Sequence, residues 1–205
     1  MTRVVSLLIV PAIMLAGCAN PPSEKLAAAE KAVEEARAVG AQTYAAEDFA
    51  KLEGLLTGAK QDMEEQSGKF AMLRDYEKTE QLLATAQADA GKVVATATKR
   101  KEEAKVAAAQ AFQAAQESVQ ATQALVAKAP VGKDRAAVEA IKNDVQGLAT
   151  SLTEVETTIG AGDYLAAQAK AKAIQDKSQA VAAEIQQAID KVAAAKGKGG
   201  KAAKR

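Results

Sequence analysis

Residues 76–128 read YEKTEQLLATAQADAGKVVATATKRKEEAKVAAAQAFQAAQESVQATQALVAK, with no proline and a single glycine, Gly91. Proline would remove a backbone donor and clash with the preceding turn, and none does so here. The stretch therefore predicts one helix of roughly 80 Å at 1.5 Å per residue, several times the usual globular length. So long an alanine-rich helix reads as one arm of an antiparallel coil with thin seams, and Gly91 is the natural place for a kink.

Working outward, Lys128-Ala129-Pro130-Val131-Gly132 interrupts the pattern. A further helix is expected over 133–159, with Val138, Ile141, Val145, Leu148, Leu152 and Val155 inward. Gly160-Ala161-Gly162 then turns the chain, Asp163 caps, and a last helix runs over 164–195. On the other side, Pro21-Pro22 precedes Ser23 as N-cap of a helix over 24–39, with Leu26, Ala29, Val33 and Ala36 on one face and Gly40 as its stop. Residues 41–44 read as a turn. A second helix starts near Ala45 and places Phe49, Leu52, Leu56, Ala59 and Met63 inward. It ends either at Ser67-Gly68 or, through Phe70 and Leu73, at Arg74-Asp75, and the pattern leaves both open. No run alternates as a strand would. The fold class is all-α: elongated antiparallel helical hairpins or coiled coil, about five helices, one very long.

Composition supports thin seams. Of 205 residues 51 are alanine, beside three Phe, three Tyr and no Trp, so much of the apolar content is methyl groups. With no histidine and one cysteine, zinc sites of the usual ligand sets, Cys/His pairs, Ser-His-Asp triads and intrachain disulfides are excluded by arithmetic. Adjacent acids such as Glu34-Glu35, Glu64-Glu65 and Glu102-Glu103 diverge by about 100° on a helix and make poor catalytic pairs. These inventories predict no catalytic residue, no metal site, no bound cofactor and no small-molecule substrate.

Charge is separated along the chain. Lys196, Lys198, Lys201, Lys204 and Arg205 lie in the last ten positions without an acid, whereas residues 18–195 carry 21 basic against 26 acidic side chains. Residues 196–205 are expected to be a disordered basic tail, since Gly197, Gly199 and Gly200 oppose a helix. The tail is a candidate contact for a polyanion such as peptidoglycan, lipopolysaccharide or, less in keeping with the rest of the chain, nucleic acid.

At the other end Arg3 precedes an apolar run over 4–15, too short to span a bilayer, closed by Leu15-Ala16-Gly17-Cys18. This resembles a bacterial lipobox. The resemblance implies that residues 1–17 are a signal peptide and that Cys18, the one cysteine, becomes a lipidated N-terminus followed by a spacer over 18–22. Two or three acyl chains hold a protein stably where one does so only marginally. Ala19 in place of Asp implies an outer-membrane destination and a body on its periplasmic face.

Residues 26–45, LAAAEKAVEEARAVGAQTYA, are followed by EDFAKLEGLLTGAK and DYEKTEQLLATAQADA. This is similar to the alanine-rich lipoprotein segment known as domain-of-unknown-function family 4398, whose pattern is a helix, Gly-Ala, two residues, Tyr-Ala and an acidic helix start. Gly40, Ala41, Tyr44 and Ala45 match, as do Asp75 and Tyr76, over roughly 26–94. Ala46 stands where members often carry proline. The resemblance implies an envelope lipoprotein and contributes no reaction.

A faint repeat lays Leu52, Leu56, Ala59, Met63 and Phe70 over Ile141, Val145, Leu148, Leu152 and Ile159, and Asp75-Tyr76 over Asp163-Tyr164. The three tyrosines read as rings packed at helical turns, hydroxyls toward water. The sequence divides at helix breaks into an N-terminal helical region over 23–128 and a C-terminal hairpin over 133–195. The function expected is a non-enzymatic spacer or scaffold binding another envelope component, with the membrane as one partner, peptidoglycan or an envelope protein as another, and self-association left open. The alternative is a polyanion binder acting through the tail.

Overall fold

The computed structural model describes residues 20–128 and 135–202, and every regular element among them is helical. The order is α1 (Ser23–Ala38), α2 (Ala41–Tyr44), α3 (Ala46–Ser67), a 3-10 turn (Ala71–Leu73), α4 (Glu77–Lys128), α5 (Arg135–Gly160) and α6 (Tyr164–Ala202). The residues gather into two compact units that divide between Thr98 and Lys99, inside α4. The sequence-based division at 128–133 follows the ends of helices; the packing divides where α4 changes neighbours.

In the first unit α1, α3 and the start of α4 pack side by side. Register is fixed by ion pairs: Lys60 to Glu30 at 2.7 Å and Arg37 to Glu53 at 2.6 Å set α1 and α3 antiparallel, and Lys25 to Glu80 at 2.6 Å joins α1 to α4. The core is thin. Ala29, Val33 and Ala36 of α1, Phe49, Leu52 and Ala59 of α3, and Leu83, Ala86, Ala90, Val93 and Ala97 of α4 are buried. These α4 positions recur at intervals of three and four, the seam of a coiled coil, and alanine keeps it narrow.

The turn between α1 and α3 explains the Gly-Ala-x-x-Tyr-Ala stretch. Gly40 has φ +88°, a left-handed conformation that L side chains resist. The Tyr44 ring also passes so close that a Cβ on residue 40 would meet its Cδ2 at 3.3 Å. Ala41, Tyr44 and Ala45 are all buried beside them. A bare backbone at 40, small residues at 41 and 45 and a ring at 44 together make the corner.

In the second unit α5 and α6 form a hairpin against the remainder of α4. Ala108, Ala111, Ala115 and Val119 of α4 pack with Leu148 and Val155 of α5 and with Ala167, Ala171 and Ile174 of α6. Val126, Val145 and Ile185 form a second, smaller cluster among the same helices. Asp163 caps α6, its Oδ1 accepting the backbone N–H of Ala166 at 3.1 Å, after Gly162 has turned the chain at φ +82°.

The all-α fold with one very long helix agrees with the sequence reading, and α4 is helical straight through Gly91. Four local expectations are corrected. Ser23 is the first residue of α1 rather than its cap, with Pro22 in the cap position. Residues 41–44 form a single helical turn, α2. α3 ends at Ser67, so Phe70 falls outside it and is 84% exposed, breaking the proposed equivalence with Ile159, which packs on the core. Finally, α6 has helical backbone through Ala202, past the end expected at 195. Alanine and lysine between the glycines are good helix formers, and extension of an existing helix avoids the nucleation cost.

Candidate functional site

The densest polar arrangement sits where α3 ends and α4 begins. Asp62, Gln66, Tyr76 and Thr79 are all buried there, in a protein whose other buried positions are mostly apolar. The Thr79 hydroxyl donates to Oδ2 of Asp62 at 2.6 Å, and Lys78 Nζ lies 3.2 Å from Oδ1. The Thr79 hydrogen bond is the main cause of an Asp62 carboxyl pKa below its ordinary range; burial opposes it and Lys78, then Lys69, reinforce it. Gln66 Oε1 accepts from Lys69 Nζ at 2.9 Å and from the Asp75 backbone N–H at 3.1 Å. Arg74 donates to the carbonyls of Lys69 and Ser67, and Asp75 Oδ1 accepts the Glu77 N–H at the start of α4. The Tyr76 hydroxyl is buried with no hydrogen-bond partner among the described residues.

This scaffold holds up a loop whose tip is apolar. Phe70 is 84%, Met72 92% and Leu73 68% exposed. Their neighbours Lys69 and Arg74 are engaged in closing the loop, so the three side chains project from a braced base rather than from a slack connection. Sequence reasoning missed both halves of the arrangement. Spacing does not single out Asp62 or Thr79, and Phe70 and Leu73 fit a continuation of α3 as well as they fit a loop after Ser67-Gly68. The available signal was that Phe70, Met72 and Leu73 follow Gly68 without an acid among them.

The remaining concavities are shallow. One cleft, between α3 and α4, is lined by Asp48, Lys51, Leu52, Asp89, Lys92, Val93 and Thr96. Asp89 holds Lys92 at 2.8 Å and raises the lysine pKa by accepting its hydrogen bond. The charges alternate in sign and are paired along their own helices, Lys51 with Asp48 and Lys92 with Asp89. Between α5 and α6 another open cleft is lined by Asp144, Leu148, Ser151, Lys177 and Val181 among others. Among the described residues no group of three or more Cys, Asp or Glu side chains is placed to hold a metal ion. No described helix is long and apolar enough to cross a membrane.

Of the residues singled out from sequence, Cys18, Lys204 and Arg205 lie outside the described residues. Lys196, Lys198 and Lys201 have helical backbone in α6. Tyr44 and Tyr76 are buried at helical turns and Tyr164 is packed against the core of the second unit. The Tyr76 hydroxyl does not reach water as expected; it is buried along with the ring. Comparison with protein-family models, with curated proteins and with solved structures finds no match.

Proposed function

We propose that the protein is a non-enzymatic, lipid-anchored lipoprotein of the bacterial cell envelope, a helical spacer or scaffold on the periplasmic face of the outer membrane that binds another envelope component. The observation that carries this reading is Leu15-Ala16-Gly17-Cys18 at the close of a short apolar run. A thioether-linked diacylglycerol on Cys18, with or without a third chain, supplies the attachment. The helical body supports the second half of the reading: it offers long solvated faces and shallow clefts suited to contact with a macromolecule. Cys18→Ser tests the anchor. The substitution should abolish incorporation of radioactive palmitate and release the chain from the membrane fraction or leave it unprocessed; undiminished labelling would contradict it. Crosslinking in intact cells followed by mass spectrometry identifies the component bound.

A second reading is favoured by the basic cluster Lys196, Lys198, Lys201, Lys204 and Arg205, which has no acid within it. These charges suit phosphate or carboxylate groups on peptidoglycan or lipopolysaccharide. Binding of this kind weakens steeply with salt and disappears when the cluster is removed.

A further inference from the structure

We propose that the loop between α3 and α4 is a second membrane contact, with Phe70, Met72 and Leu73 entering the interfacial layer of the same bilayer that holds the acyl chains of Cys18. The proposal rests on the lipid-anchor reading of Cys18. Three bulky apolar side chains, each at least two-thirds exposed, stand together at a chain reversal while alanines fill the seams nearby. Single exposed apolar residues are ordinary; a contiguous set on a braced tip marks a contact surface.

The register of the helices identifies the surface. α1 runs antiparallel to α3, as Glu30 with Lys60 and Arg37 with Glu53 show, so the start of α1 lies at the end of the unit where α3 finishes. Lys25 binds Glu80, and the backbone carbonyl of Lys25 accepts from Gln87 Nε2 at 3.1 Å, placing the first turn of α1 beside the first turns of α4. Glu80 N–H in turn bonds the carbonyl of Tyr76, and Asp75 N–H bonds Gln66. The loop and the beginning of α1 therefore share one end of this three-helix unit. Only five residue steps separate Cys18 from Ser23, at most about 18 Å of fully extended chain. Acyl chains on Cys18 would keep this end close to the bilayer.

The chemistry of the tip fits a lipid interface. The segment 66–74 contains no acid, and its two cations, Lys69 and Arg74, brace the loop through Gln66 and the Ser67 and Lys69 carbonyls while adding positive charge beside the apolar residues. Exposed acids lie outside this segment: Glu24 at the start of α1, Glu64 and Glu65 in the last turn of α3, and Asp75 and Glu77 at the start of α4. Insertion is thus confined to the loop rather than spread along a helix face.

The chain contains no tryptophan, so Phe70→Trp introduces a single reporter at a site already exposed. The full chain, purified with its lipid and reconstituted in vesicles of phosphatidylethanolamine and phosphatidylglycerol, should show blue-shifted emission that is quenched by lipids brominated near the headgroup. Gln42→Trp, at an exposed site in the turn between α1 and α3 at the other end of this unit, should remain water-like and unquenched. Palmitate labelling and flotation with the vesicles are read on the same samples. A labelled, floating chain with an unshifted and unquenched indole at position 70 overturns the loop contact and leaves the anchor standing. If the chain carries no lipid, the anchor reading fails, and quenching at position 70 on addition of vesicles decides the loop alone. A blue shift without vesicles that grows with protein concentration assigns the loop to a second copy and overturns the proposal. Equal quenching at 70 and 42 does so too, since this unit would then lie along the bilayer.

Discussion

The Thr79 hydroxyl reaches 2.6 Å to Oδ2 of Asp62, tying the first turn of α4 to the last turns of α3 through a side-chain pair in which both residues are buried. A carboxylate removed from water is tolerated only when its oxygens are satisfied, and here one takes the hydroxyl and the other faces Lys78. Asp62→Ala leaves Thr79 unsatisfied and should lower stability by about 1–3 kcal/mol, measured by urea unfolding.

The same pair sets a pH dependence. The folded state holds the Asp62 pKa below its ordinary value, chiefly through Thr79, so folding favours the ionised form. That stability is fully present above the unfolded value of about 3.9 and is lost as pH falls through the lower folded value. Asp62→Asn should therefore flatten part of the acid limb below about pH 4 and leave the difference from the parent chain constant above about pH 5. Unfolding free energies followed across this range check it; an unchanged acid limb would show that the carboxylate gains nothing on folding.

Two glycines should respond oppositely to alanine. At Gly40 the positive φ and the nearby Tyr44 ring both resist a Cβ, so Gly40→Ala should destabilise by roughly 1–2 kcal/mol. At Gly91, inside α4, a Cβ meets nothing within 4 Å, and Gly91→Ala should stabilise by about 0.5–1 kcal/mol. Thermal melts of the two variants, compared with the parent, provide the test.

In the second unit the Thr122 hydroxyl lies 2.8 Å from that of Ser178, where both residues are buried, and also contacts the Ser118 and Ser178 carbonyls. Thr122→Val and Ser178→Ala should each cost about 1 kcal/mol, and the double variant should cost less than the sum because one shared interaction is removed. Full additivity in a double-mutant cycle would mean that the two hydroxyls act separately.

Much of this architecture was legible beforehand because it depends on backbone rules. The absence of proline over 76–128 marks α4, Gly160-Ala161-Gly162 marks the α5 to α6 turn, and the inward face of α5 follows from spacing. Of the two ends that the pattern leaves open for α3, the structure takes Ser67-Gly68; spacing does not decide, since Phe70 and Leu73 continue an apolar pattern that a helix could use, and the Arg74 and Gln66 side chains close the loop on backbone groups that spacing does not reveal. The burial of Asp62 was equally hidden, because an aspartate one turn from an inward-facing alanine reads as a solvated side chain. The end of α6 was misjudged by weighing Gly197, Gly199 and Gly200 above the helix formers around them. Of the candidate site, Cys18 is read from a local motif, whereas the loop tip emerges only when α1, α3 and α4 are placed in register.

Loss of the basic cluster separates the two functional readings. Deletion of residues 197–205 should leave the melting of the helical body unchanged but reduce cosedimentation with cell-wall sacculi, most at low salt, where screening is weak. Sedimentation equal to that of the intact chain would move recognition to the helical body.

Mass spectrometry of the N-terminal peptide of the protein extracted from its own cell membranes tests the central claim most directly. A peptide that begins at Cys18 and carries a diacylglyceryl group on its sulfur is the predicted result. A free Cys18 thiol in a chain still joined to Gly17, or cut elsewhere, would contradict it.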